Sequence, residues 1–193
     1  MAKHSSGAGE PEKDADGLVV QKHTSTVLVV VPEKGYGEQT LRHARSSLHN
    51  VHVGTWSVST NAKDLIPGRL QDEFMVDGDI AEATMEPYSG VLFVGGEGSA
   101  ELARNEHALR LAREAAAAGK MIGAWDHAVA ILANAGILKG KRVTGAEEVA
   151  DLVRRAGGKF TGRQLERDGV LVTAADEAVG IRFGKTLAQI VGI

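Results

Sequence analysis

The feature of the sequence that most constrains the fold is a series of short apolar runs, most of which end in a turn that leads into a helical pattern. Runs of the kind expected for strands buried on both faces lie at 27–31, 51–58, 90–94 and 121–124. Apolar residues at helical spacing follow at 38–48, 105–118 and 127–135. The alternation predicts an α/β fold, a three-layer αβα sandwich with a mostly parallel central sheet.

The rest of the chain completes this layout. Residues 59–88 are less regular, and we expect a short helix and edge structure at 65–79. A short strand is expected at 142–144 and a helix at 147–155. The Asp168-Gly169 pair predicts a hairpin, and Asp176 is a preferred cap for a closing helix. Because residues 1–17 are small, polar and charged, we predict a disordered N-terminal tail and a single domain over 18–193.

Composition excludes several kinds of function. With no Cys in 193 residues, the chain has no disulfide, no thiolate metal ligand and no cysteine nucleophile. The net charge of -3 provides no basic footprint, so we expect no nucleic-acid partner. No apolar run approaches the roughly 18 residues of a membrane helix, and residues 1–16 lack a signal-peptide pattern. We therefore expect a cytoplasmic protein with no membrane partner.

The turns that follow strands are the places to look for chemistry, because ligands of open α/β sheets bind beyond the carboxyl ends of the strands. These turns are 32–38, 95–98 and 125–128. In the last of them a buried strand passes directly into a helix, and such an elbow exposes one side chain, here Asp126, beside free helix amides. The turn 95–98 and the Gly184-Lys185-Thr186 segment are incomplete as phosphate-binding motifs, so no cofactor is expected.

The order of these elements resembles the ThiJ/PfpI superfamily. The resemblance is carried by GVLFVGG, by the helix after it and by the elbow GAWDHA, and it continues through GILKGKRVT and LERDGVLVTAAD. It covers about residues 26–192. It implies a flavodoxin-like or class I glutamine amidotransferase-like domain that forms a homodimer or a higher homo-oligomer. The superfamily includes intracellular proteases, deglycase-type enzymes that act on reactive carbonyls, and isonitrile hydratases.

The resemblance also implies roles for individual residues. It puts Asp126 at the position of the family's cysteine nucleophile and His127 at the following His. Glu38 matches the acidic residue that approaches the cysteine, and the backbone N–H groups of Gly96 and His127 match the oxyanion hole. Because Asp cannot reproduce a thiolate, the resemblance does not extend to the family's thiol-dependent reactions.

Several interpretations of the elbow remain open at this point. One is a small-molecule hydrolase or lyase for a carbonyl, imine or nitrile-like substrate, in which Asp126, His127 and Glu38 perform acid–base chemistry and the two carboxyls share a proton. Another is a non-catalytic member of the family with a binding, regulatory or oligomerisation role. Asp126 could also be only a helix cap, an engineered replacement, or, with Glu38 and His127, a metal ligand. The expected site contains no metal, and the expected partner is a small-molecule ligand.

Overall fold

The computed structural model describes residues 25–192. The predicted N-terminal tail, and the predicted start of the domain at residue 18, lie outside this range. The central sheet contains the strands β1 (Ser25–Val30), β2 (Val53–Ser59), β5 (Gly78–Asp79), β6 (Gly90–Phe93), β7 (Met121–Trp125), β10 (Leu165–Asp168) and β11 (Leu171–Ala174). Two short pairs, β3 (Ile66–Pro67) with β4 (Glu73–Phe74) and β8 (Arg142–Val143) with β9 (Lys159–Phe160), lie outside it.

The strand order in the central sheet is β10-β11-β7-β6-β1-β2-β5. All neighbours are parallel except β10 and β11, which form the predicted antiparallel hairpin. At its turn Gly169 has a φ of 64°, a left-handed conformation that Gly adopts without steric cost. The carboxyl ends of β1, β6, β7 and β11 consequently meet at one edge of the sheet.

Helices cover both faces of this sheet. They are α1 (Glu38–His49), α2 (Ser99–Leu102), α3 (Glu106–Ala117), α4 (Val129–Asn134), α5 (Ala150–Arg155) and α6 (Gly180–Val191). Alternate residues of β1 point to opposite faces of the sheet. Val27 and Val29 belong to one apolar cluster, and Leu28 and Val30 belong to the other. The first cluster includes α1 and α6, and the second includes α3 and α4. The predicted three-layer fold is thus confirmed.

The expected helix at 65–79 is wrong, since none of these described residues is helical. The segment forms the β3–β4 hairpin in place of the helix, and the expected edge structure is present as the strand β5. Backbone pairing outweighs local propensity here: Gly35 N–H donates to Pro67 O at 2.7 Å and Arg69 N–H to Tyr36 O at 3.1 Å. The hairpin is thereby fixed over the turn that follows β1.

Other differences are smaller. The strand expected at 142–144 does not join the central sheet but pairs with β9. The helix α2 was not anticipated. The predicted cap is confirmed, because Asp176 Oδ1 accepts from Ala178 N–H at 2.8 Å in the 3₁₀ turn Glu177–Val179, which leads into α6. Over the described range, no helix has the length and apolar character needed to cross a membrane.

Candidate active site

Asp126 lies at a sharp elbow where β7 ends. Trp125 is extended, with a φ of -139°, and Asp126 has a φ of 55° before the 3₁₀ turn Asp126–Ala128 and α4 begin. A non-Gly residue in this left-handed region carries backbone strain of order 1–3 kcal/mol. The buried Trp125 indole fixes the end of the strand, because it packs edge-to-face on Phe183 with ring centroids 5.6 Å apart.

The carboxyl group of Asp126 points at charged side chains. Only 13% of the side chain is exposed, and Oδ2 lies 3.9 Å from Nη1 of Arg69. Neither the 3₁₀ turn nor α4 has a side-chain cap. The helix-cap interpretation is therefore wrong: a capping residue has extended backbone angles and an oxygen bonded to a helix amide, whereas Asp126 is left-handed and bonds to no amide of the described helices.

The imidazole of His127 lies beside this carboxyl. Its Nδ1 is 3.0 Å from Asp126 Oδ1, and its Nε2 is 4.0 Å from Glu148 Oε2. The Nδ1 contact is not directed as a hydrogen bond, because Nδ1 has no hydrogen-bond partner in the described part of the chain. The contact is electrostatic, and it is attractive when the imidazole is protonated. The 30% exposure of the side chain leaves His127 accessible from solvent.

Glu38 is the first residue of α1, and only 3% of it is exposed. Its Oε1 accepts the Leu70 N–H at 2.5 Å, while its Oε2 is buried and has no hydrogen-bond partner among residues 25–192. Gly68 makes this arrangement possible, because a Cβ there would overlap the Glu38 carboxyl. The predicted hydrogen bond between Glu38 and Asp126 is not formed in this structure: the Asp126 oxygens face His127 and Arg69 instead.

Arg69 and Glu177 were missed by sequence reasoning. Arg69 comes from the loop of the β3–β4 hairpin, in the segment whose fold was mispredicted. Glu177 follows β11, whose carboxyl end lies next to that of β7. Ligands of open α/β sheets bind beyond the carboxyl ends of the strands, and this rule, applied to β11, would have indicated Glu177.

The carboxyl of Glu177 is held at the beginning of α1. Burial raises its pKa above the ordinary value, and the negative charges of Glu38 and Asp126 act in the same direction. A hydrogen bond from the backbone of Thr40 and the positive charge of Arg69 oppose this rise. The carboxyls of Asp126 and Glu177 thus interact with the guanidinium of Arg69 at the carboxyl edge of the sheet, and the Glu38 carboxyl acts on Glu177 from α1.

The turn after β6 supplies backbone groups. Gly96 has a φ of 121°, a conformation suited to Gly. Gly95 O accepts the Gly37 N–H at 2.8 Å. Because the peptide between Gly95 and Gly96 is trans, the Gly96 N–H points away from Gly37. Ser99 Oγ donates to Gly96 O at 2.5 Å and fixes the other side of the turn. The oxyanion-hole role of Gly96 and His127 stays a prediction.

Metal binding finds no support in the arrangement of the ligating side chains. Within residues 25–192, no group of three or more His, Asp or Glu side chains is placed to hold a metal ion. The two carboxyls and the imidazole of Glu38, Asp126 and His127 therefore do not form a ready coordination site here.

Comparison with known proteins identifies the family. The model of the DJ-1/PfpI family matches residues 25–190. The chain belongs to the DJ-1/PfpI family. An uncharacterised protein of Methanocaldococcus jannaschii is 29% identical over 161 residues, which are 82% of this chain and 78% of that protein. The deglycase PfpI of Pyrococcus furiosus is 26% identical over 126 residues, 65% of this chain and 73% of that enzyme.

Solved structures of the DJ-1/PfpI family share the fold. A ThiJ/PfpI domain protein from Brachyspira murdochii aligns with a TM-score of 0.82 and 21% identity over 87% of this chain and 96% of its own. Drosophila melanogaster DJ-1beta aligns with a TM-score of 0.76 and 19% identity over 88% of this chain and 91% of its own. The fold predicted from the strand and helix pattern is that of the family.

Proposed function

We propose that this protein is a thiol-independent hydrolase or lyase for a small carbonyl, imine or nitrile-like substrate, with Asp126 as its central acid–base group. The backbone conformation of Asp126 supports the proposal most strongly. A strained, left-handed residue at the end of a buried strand, with a carboxyl that caps no helix, is typical of a functional position rather than a structural one.

Family membership supports the same class of chemistry. The relatives from Pyrococcus furiosus and Pyrococcus horikoshii are named deglycases, and we propose that Asp126 replaces the cysteine of such enzymes. The replacement substitutes an oxygen base for a sulfur nucleophile. The chemistry proposed here is therefore proton transfer and the addition of water, without a thiol intermediate.

The proposed reaction divides the work among the groups of the site. The Asp126 carboxylate removes a proton from water as the water oxygen bonds to the substrate carbon. Electrons of the C=O, C=N or C≡N bond move to its heteroatom, which receives hydrogen bonds from the backbone N–H groups of Gly96 and His127. Glu38, in its protonated form, transfers a proton to that heteroatom. Solvent then returns a proton from Asp126 to Glu38.

The charges of the site suggest which substrates fit. Because the substrate must approach the Asp126 carboxylate, a neutral or cationic substrate meets less repulsion than a carboxylate or a phosphate. The proposed ligand is accordingly a small uncharged carbonyl or an amine-bearing derivative of one.

A panel of small aldehydes, dicarbonyls, imines and nitriles tests the proposal. The change Asp126→Asn keeps the shape of the side chain and removes its basicity, so turnover should fall by about 100-fold or more. Asp151→Asn is the matched control, because Asp151 is exposed on α5 and pairs, among residues 25–192, only with Arg154, and it should leave turnover unchanged.

Two results would contradict the proposal. Equal turnover by wild type and by the Asp126→Asn variant would contradict the role of Asp126. The other is binding of a panel compound by wild type with no product formed, which would favour the non-catalytic alternative.

A further inference from the structure

The Glu177 carboxyl lies at the beginning of α1, a helix from another part of the chain. The helix α1 has Gly37 at its N-cap and therefore no capping side chain of its own. The Glu177 carboxyl lies against Gly37, because a Cβ added there would overlap its Oε1, and an interaction with the Thr40 backbone in the first turn favours its ionised form. A carboxylate at a helix N-terminus interacts favourably with the helix dipole. The Glu177 carboxylate thus lies where a capping side chain would act.

The same carboxyl packs against the elbow. A Cβ added to Gly37 would overlap Glu177 Oε1 and would lie 3.1 Å from Nε1 of Trp125. The carboxyl oxygen and the indole N–H therefore occupy the same niche beside Gly37. Both atoms are buried and lack a hydrogen-bond partner in the described part of the chain. A buried acceptor and a buried donor left unpaired in one niche are unusual in a folded protein.

Charged groups from three elements surround this niche. Glu38 faces Glu177 from α1, Asp126 from the elbow after β7, and Arg69 from the β3–β4 hairpin. On the far side, the His43 ring of α1 lies near Gly180 at the start of α6. The neighbouring acid Asp176 is engaged with the amide of Ala178.

We propose that Glu177 is a positioning residue of the candidate site, which couples the start of α1, and with it Glu38, to the elbow formed by Trp125 and Asp126. The effect on Asp126 rests on the proposed function, but the coupling of Glu177 to the Trp125 indole does not. Glu177 touches the two segments that carry the acid–base pair, and it acts through them.

Protonation changes this coupling. Burial and the nearby negative charges raise the pKa of Glu177, so the carboxyl takes up a proton at a higher pH than an exposed Glu does. The protonated form is a weaker acceptor for the Thr40 amide and adds no negative charge beside Asp126. The position of Glu38 and the electrostatic field at Asp126 therefore change together when Glu177 titrates.

The Trp125 indole provides a direct measurement. In the Trp56→Phe variant Trp125 is the sole tryptophan, because the chain contains two. Its ¹⁵N-labelled indole N–H resonance should shift with pH in a single step above the ordinary Glu value of 4.5. Adding Glu177→Gln should abolish this step. The control Glu82→Gln should leave it unchanged, because Glu82 is exposed and lies between Ile80 and Met85, which belong to the apolar cluster opposite that of Trp125.

The outcomes separate this inference from the proposed function. A pH-independent indole resonance in Trp56→Phe, or a step that persists in Glu177→Gln, would overturn the coupling whether or not the protein is an enzyme. When a substrate is in hand, Glu177→Gln should lower the apparent pKa of the kcat/KM profile and keep the maximal rate within about threefold, because the amide can still accept from Thr40. A purely structural cap predicts an unchanged profile for Gln.

Discussion

Replacing the elbow residue with Gly should stabilise the fold relative to replacing it with Ala. Asp126 has a φ of 55°, and in this region a Cβ approaches the following carbonyl oxygen at a cost of about 1–2 kcal/mol. Gly avoids the clash but loses more conformational entropy on folding, a cost of about 0.5–1 kcal/mol. Asp126→Gly should therefore exceed Asp126→Ala in stability by about 0.75 kcal/mol, the difference between the centres of these two ranges.

Urea unfolding and calorimetry can measure a difference of this size. For a chain of this length it corresponds to about 1–4 °C in Tm. Both variants lack the carboxyl, so its contacts with Arg69 and His127 cancel in the comparison. Ala116→Gly is the control, because Ala116 is exposed in α3, where Gly should destabilise by about 0.5–1 kcal/mol. The two Ala-to-Gly comparisons should have opposite signs.

The prediction is refuted if Asp126→Gly is less stable than Asp126→Ala by as much as Ala116→Gly is less stable than wild type. That result would mean that the elbow is not left-handed in solution. Under the proposed function both variants should be inactive. A Gly variant that is stabilised but inactive would show that activity requires the carboxyl at position 126 despite its cost in stability.

Three further predictions concern the thiol, the pH response and the assembly. Asp126→Cys should react with iodoacetamide faster at neutral pH than Ala116→Cys, because the Arg69 guanidinium near the Asp126 carboxyl stabilises a thiolate, and equal rates would refute this. Since the pKa of Glu177 is raised in the folded state, the stability that its protonation provides is lost as pH rises from 4.5 through the folded pKa. Glu177→Gln should remove this part of the pH dependence of the free energy of unfolding, measured with urea between about pH 4 and 8. Parallel pH curves for wild type and the variant would contradict the prediction. Light scattering at micromolar concentration should return more than the chain mass of 20.3 kDa, and the monomer mass would argue against the proposed dimer.

The sequence predicts the strands and long helices well because their signals are local. The apolar runs at β1, β6 and β7 are continuous, and caps such as Asp176 bond to residues two positions away. The β3–β4 hairpin was missed for the opposite reason. Its strands have two residues each, and they are held by bonds to the turn around Tyr36, which no short-range pattern encodes.

The candidate site was predictable in part. Asp126, His127 and Glu38 follow strands or begin helices, so topology alone brings them to one edge. Their mutual orientation was not predictable, because it depends on the left-handed backbone of Asp126 and on the Leu70 amide that holds Glu38. The shared-proton contact expected between the two carboxyls is accordingly replaced by contacts with residues from other loops.

The backbone of Tyr36 has a mechanical consequence for the site. It forms bridges both to Gly68 of the hairpin and to Gly96 of the turn after β6, and the next residue begins the cap of α1. The buried residue Tyr36 therefore joins three segments: the loop that carries Arg69, the glycine turn after β6 and the start of α1. Local opening of such a unit is cooperative. The hairpin that carries Arg69 is therefore expected to open only together with the glycine turn and the start of α1.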